Sequence, residues 1–144
     1  MLNKSSKKDT PEEMVLGIDY GEKNIGLAFG RSGLANPGPV ISGKNDATAV
    51  REINQYIIEN KINKIVIGLP LSQDGKETHQ SIRVRRFAKL LRVYVKLPTT
   101  FIDESNTSNE ALESALQDSI SQKHRRIIDN ISAAIILKKY FREE

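Results

Sequence analysis

Residues 15–29 read Val-Leu-Gly-Ile-Asp-Tyr-Gly-Glu-Lys-Asn-Ile-Gly-Leu-Ala-Phe: an apolar run, one carboxylate, a glycine turn and a second apolar run. Two short apolar segments separated by 21–23 suit an antiparallel hairpin, with strands expected over 14–20 and 24–30. Asp19 is out of place in such a run. Taking an unpaired charge out of water costs several kcal/mol, so Asp19 needs a partner, and a metal ion is the natural candidate. Considered alone, Asp19 could also serve the turn by accepting the Gly21 amide.

The rest of the chain supplies what a hairpin needs to become a sheet. A third strand is expected over about 33–41, at a sheet edge because of Pro37 and Pro39. Asn45 or Asp46 can cap a helix running to about Asn60, with Val50, Ile53, Ile57 and Ile58 on its buried face. The β-branched segment 62–69 reads as a buried strand, followed by a loop over 70–76. A long helix is expected from about Thr78 to Val93, with Ile82, Phe87, Leu90 and Leu91 facing inward, and then a strand over 97–103. Ser105 or Thr107 can cap a helix carrying Ala111, Leu112, Ala115 and Leu116. Residues 117–124 lack apolar periodicity and read as a loop, before a last helix from about Arg126 to Phe141. The order β-β-β-α-β-α-β-α-α predicts a mixed α/β sheet with helices on both faces.

The polar segment 1–13, with Lys4, Lys7 and Lys8, is expected to be a disordered lead into one domain over 14–144. It lacks the apolar core of a signal peptide, and no run of about 18 apolar residues suggests a membrane span. Zero cysteines exclude disulfides and thiolate metal sites and fit a cytoplasmic protein. The net charge of +4 suits either a solvated surface or a polyanion partner. Clustering favours the second: Arg83, Arg85, Arg86, Lys89 and Arg92 lie together, and Lys123, His124, Arg125 and Arg126 form a second run. Such groups hold phosphates by charge-assisted hydrogen bonds. Aromatic residues hardly interleave them, so a base-stacking platform is not indicated.

Acidic residues recur where chemistry gathers in α/β sheets, at strand ends and helix starts. Asp19 ends the first strand, Asp103 and Glu104 end the last, and Asp129 opens the final helix amid Ile127, Ile128 and Ile131. Glu104 alone could cap a helix, and Asp129 alone could complement a helix dipole. Together they suggest a cluster that cannot ionise cheaply without a cation. Oxygen-only ligands suit Mg²⁺ or Mn²⁺, and two such ions can drive phosphodiester hydrolysis. His79 and His124 stand in polar context and read as surface residues. Residues 68–75 lack the Gly-Lys-Ser/Thr of a Walker A loop and suit a strand-to-helix turn or a substrate-facing loop.

Four segments resemble, in order, the motifs of the YqgF/RuvX family of Holliday-junction resolvase-like nucleases. They are Gly-Ile-Asp-Tyr-Gly-Glu-Lys-Asn-Ile-Gly-Leu-Ala (17–28), Ile-Gly-Leu-Pro-Leu-Ser-Gln-Asp-Gly (67–75), Phe-Ile-Asp-Glu-Ser-Asn-Thr-Ser-Asn-Glu-Ala (101–111) and Ile-Asp-Asn-Ile-Ser-Ala-Ala-Ile-Ile-Leu (128–137). The resemblance covers about 14–141. It implies an RNase H-like fold, a mixed five-stranded sheet flanked by helices, and a metal-dependent endonuclease. Asp19, Glu104 and Asp129 match the family's three acids, as catalytic residues and ligands of Mg²⁺ or Mn²⁺. Ser105 stands where the family usually has arginine, and Asn24 where a basic residue is common.

The leading expectation is processing of the 5′ end of precursor 16S ribosomal RNA, with ribosome-assembly particles as partners. Alternatives are resolution of branched DNA on the same site, and a non-catalytic RNA-binding assembly factor, to which Ser105 lends support. An actin-like ATPase shares a Gly-Ile-Asp-x-Gly phosphate loop but needs two such domains, more than 144 residues allow. Lys23, Arg85, Lys89, Lys123, Arg125 and Arg126 are the expected nucleic-acid contacts.

Overall fold

Two antiparallel hairpins open the fold of the computed structural model, which describes residues 12–104 and 122–143, the last helix by its backbone alone up to residue 130. β1 (Met14–Asp19) pairs with β2 (Asn24–Arg31), and β2 with β3 (Leu34–Ser42). Ser32 and Gly33 join β2 to β3 with φ of 54° and 79°. Two consecutive positive φ angles give the tight turn whose twist matches a hairpin. β3 carries Pro37 and Pro39 at the sheet edge, where missing ladder donors cost least.

The chain then leaves the edge and returns on the other side of β1. α1 (Asp46–Glu59) starts at Asn45, whose side chain accepts the Thr48 amide at 2.9 Å. β4 (Lys64–Leu69) runs parallel to β1. α2 (His79–Tyr94) opens on a reciprocal cap between Thr78 and Ser81. β5 (Thr99–Asp103) lies parallel to β4, so the sheet order is β3-β2-β1-β4-β5. α3 (Gln122–Glu143) closes the described chain.

Period-two alternation divides the core in two. Leu16, Ile18, Ile65 and Ile67 pack with Ile53 of α1 and Phe87 of α2. Val15, Ala28, Val66 and Ile102 face the other way, against Ala133, Ile136, Leu137 and Tyr140 of α3. Glycines let α3 lie close to the sheet. A Cβ at Gly17 would stand 2.6 Å from Leu137 Cγ and 3.0 Å from the Ala133 carbonyl oxygen, and one at Gly30 would stand 2.7 Å from Phe141 Cζ. Gly30 sits opposite Val15, at the start of β1. The later turns of α3 therefore cover the beginning of β1, and the earlier turns lie toward Asp19.

The expected mixed sheet with helices on both faces is what forms. Several details differ. Ile58 and Ile82 are exposed (64% and 43%) instead of buried. Ile58 stands a hundred degrees round the helix from Ile57, and α1 buries Ala49, Val50, Ile53 and Ile57. Ile82 lies in the first turn of α2, whose inner face is Ser81, Val84, Phe87, Ala88 and Leu91. α3 begins at Gln122, inside the expected loop, because Gln, Lys and Arg propagate a helix without apolar periodicity. β4 and β5 each begin two residues later than expected, although Ile62 is still buried. The helix expected after Ser105 lies outside the described residues.

Residues 1–11 of the expected lead also lie outside them. Glu12 accepts from Arg31 Nε (3.1 Å) and Ser32 Oγ (2.7 Å), and the Tyr140 hydroxyl donates to Glu13 Oε1 (2.9 Å). Among the described residues no helix is long and apolar enough to cross a membrane.

Candidate active site

β1 turns Val15 toward α3, so Gly17 and Asp19 share that face by alternation. β5 turns Ile102 the same way, so Glu104, one residue past the strand, follows it. The Glu104 amide donates to the Leu69 carbonyl at 3.0 Å, which extends the β4–β5 ladder and fixes the residue. Between the two acids lies β4. Its pairing of Ile67 with Ile18 places Gly68 beside Asp19, and Gly68 also pairs with Ile102. A Cβ at Gly68 would stand 2.6 Å from Glu104 Cδ and 2.9 Å from its Oε1, and would meet Ile136 Cδ1. The space that Gly68 leaves is the space Glu104 uses.

Burial pushes the Glu104 carboxyl up to about 8, helped by the negative charges of Asp19 and then Asp103, and opposed by Lys139. Lys139 of α3 donates from Nζ to the Asp103 carbonyl oxygen at 2.5 Å. At neutral pH this corner of the sheet holds a proton on Glu104, or a cation in its place. Oxygen donors, partial burial and mutual repulsion suit a hard divalent cation, so the residues present fit the metal that the sequence led us to expect.

A pH dependence follows for the metal-free protein. Glu104 carries a raised carboxyl in the fold (about 8) against an ordinary value of 4.5. Between these values the folded state keeps a proton that the unfolded chain has lost. The stabilising term is therefore complete below about 4.5 and is lost as pH rises through about 8. Urea midpoints in chelator should fall across that window, and the fall should flatten in Asp19→Asn. Midpoints independent of pH there would mean that Glu104 is not desolvated against Asp19.

Asp129 lies in α3 one turn before Ala133, and its side chain lies outside the described residues. The same holds for Lys123, His124, Arg125 and Arg126, while Ser105 lies outside the described residues altogether. Among the described residues no group of three or more His, Cys, Asp or Glu is arranged to hold a metal. The described geometry brings together Asp19 and Glu104, with Asp103 behind them.

The other expected contacts are scattered. Lys23 is exposed in the turn after β1, and its carbonyl accepts the Gly43 amide. Lys89 is exposed on α2. Arg85 is held by Glu77 through Nε–Oε1 (2.7 Å) and Nη2–Oε2 (3.0 Å) and lies over the Phe101 ring. The 70–78 loop closes on itself, with Thr78 Oγ1 donating to the Pro70 carbonyl at 2.7 Å. Two contributors were not singled out from sequence. Gly68 falls within a segment that reads as a turn or loop, and Lys139 carries no motif. No sequence signal marks either, because each acquires its role from a partner distant along the chain.

The family model RuvX, described as Holliday junction resolvase, matches residues 13–143. Curated relatives carry the name "Putative pre-16S rRNA nuclease". One from Nitrosospira multiformis is 36% identical over 129 residues, covering 88% of this chain and 85% of its own. One from Dictyoglomus thermophilum is 33% identical, covering 88% and 93%, and one from Bordetella pertussis is 36% identical, covering 90% and 94%. Among solved structures, Thermus thermophilus RuvC bound to a Holliday junction superposes with a TM-score of 0.58 at 12% identity, over 91% of this chain and 94% of that one. RuvC alone gives 0.54 at 12% identity, over 90% and 95%. That likeness establishes the RNase H-like fold.

Proposed function

Because this chain belongs to the RuvX family, we propose that it is a divalent-metal-dependent endonuclease that cuts the phosphodiester backbone of precursor 16S ribosomal RNA. The observation that carries the chemistry is the placement of Asp19 and Glu104 on one face of one sheet corner, with Gly68 between them. The substrate is taken from the names of relatives at 33–36% identity.

Asp19 and Glu104 would hold the cation, with Asp129 as the third ligand. Support for Asp129 comes from the run of α3. The helix rises about 1.5 Å per residue, which carries position 129 about 6 Å beyond Ala133 along the axis. That direction leads from Gly17 toward the Asp19 end of β1. Mg²⁺ or Mn²⁺ held by these residues would supply Lewis acidity toward water and the phosphate. The protein's own part is to hold the ligands rigidly on strand ends and to desolvate Glu104. Lys139 tempers the negative potential and anchors the end of β5. Raised as it is, the Glu104 carboxyl must release its proton before it can act as a ligand.

The RuvC-like fold favours a second reading, cleavage of branched DNA at the same carboxylates. Purified protein should be given a precursor 16S RNA fragment and a four-way DNA junction, each with Mg²⁺, with Mn²⁺ and with chelator. Metal-dependent cutting of the RNA is the expected result. Cutting of the junction alone would replace the first reading with the second. Binding of RNA without cutting of either substrate would leave a ribosome assembly factor.

A further inference from the structure

On the opposite face of the same sheet edge lies an open cavity of about 510 Å³. Its walls include Tyr20, Lys44 and Asp46 beside α1, and Arg83 and Arg86 of α2. Tyr20 follows Asp19 directly, and its side chain turns to the α1–α2 face, where it stacks on Phe87 with centroids 4.6 Å apart. The cavity therefore begins one residue from the carboxylate corner.

Its charges are unequally engaged. The Tyr20 hydroxyl donates to Asp46 Oδ1 at 2.9 Å, and Arg83 is paired with Glu22. Lys44 and Arg86 are paired with no acid among the described residues. The Arg83–Glu22 pair is about half exposed on both sides, and solvent-exposed pairs contribute little. A phosphate can replace Glu22 at that guanidinium at little cost.

α2 contains five Lys and Arg residues and no acid. Arg83 and Arg86, three residues apart, are like-charged neighbours on the helix surface, where an anion between them is favoured. Glu77 accounts for Arg85. Helical spacing sets Arg83 and Arg86 on a different side from Arg85 and Arg92, the side on which the cavity opens.

We propose that this cavity is a second backbone subsite: Lys44, Arg86 and Arg83 grip a phosphate of the nucleic-acid strand next to the one being cut. The inference rests on the nuclease reading above. The strand would cross the sheet edge, with the scissile phosphate on the α3 face and a neighbour on the α1–α2 face. Backbone contacts of this kind position a strand and carry no base preference.

The test is binding in chelator, so that cleavage does not interfere, of a labelled precursor 16S RNA fragment to the full chain. Lys44→Gln/Arg86→Gln should weaken affinity about tenfold at low salt, and should flatten the slope of log affinity against log salt by about two. Lys61→Gln/Lys96→Gln, which removes the same charge before β4 and β5 at the opposite end of the strands, should do neither. Unchanged affinity and slope in the first variant, or equal losses in both, would overturn the subsite and leave the nuclease reading standing. Wild-type protein that binds no RNA and no junction would overturn both. Circular dichroism of both variants verifies the fold, and the exposed Lys44 and Arg86 side chains give no reason for it to change.

Discussion

Asp19→Asn should lower cleavage about 1000-fold or more while leaving the protein folded and able to bind RNA. Such a loss is about 4 kcal/mol of transition-state stabilisation, the scale expected when a charged ligand is removed from a site that stabilises developing phosphate charge. The substitution keeps size and removes charge. In metal-free protein it also removes the first of the two acids that hold the Glu104 carboxyl up, so the fold should be more stable in chelator at neutral pH. Three measurements check this together: single-turnover cleavage in Mn²⁺, RNA affinity, and urea midpoint with chelator. Equal cleavage by wild type and variant would place the active site elsewhere. Loss of cleavage together with loss of folding would make Asp19 a structural residue.

Gly68→Ala should cost about 100-fold in cleavage, a loss typical of a misplacement of about 1 Å at a reacting centre. The new methyl would arrive 2.6 Å from Glu104 Cδ. The Ile136 terminus can rotate aside, so overpacking should cost only about 1–3 kcal/mol of stability. The Glu104 carboxyl group can yield only by leaving the place it holds against Gly68, which moves the proposed ligand itself. Activity is therefore expected to fall far more than the melting temperature, and RNA affinity should hold. Wild-type cleavage by Gly68→Ala would mean that Glu104 is not placed against Gly68 during catalysis.

How far the sequence disclosed this site varied from residue to residue, for physical reasons. Asp19 stood out because a charge in an apolar run conflicts with folding. The hairpin, the edge strand with Pro37 and Pro39, and the buried strand before Pro70 were legible from composition and spacing. Asp103 and Glu104 stood out together at a strand end; strand alternation tells one from the other, once Ile102 is known to face α3. Ile58 and Ile82 misled because an isoleucine on a helix gives no sign of which neighbour will cover it. Gly68 was illegible because its role is an absence of atoms, visible only when the glutamate that fills the space is in place. Lys139 was illegible for a related reason: its meaning comes from the end of β5, thirty-six residues earlier. Lys44, just before α1, and Arg86, inside α2, likewise come to line one cavity only in the folded chain.

α3 follows every described strand, and it covers the face that bears Asp19 and Glu104. A growing polypeptide releases its residues in order, at about 5–20 per second. The first carboxylate therefore emerges seconds before the second, and the helix that shuts the corner emerges after both. Until then the sheet face beneath it is wet, and Glu104 is not yet desolvated against Asp19. The corner takes its final electrostatic form only when Leu137 and Ala133 settle over Gly17, so the order of synthesis sets the order in which the candidate site is assembled.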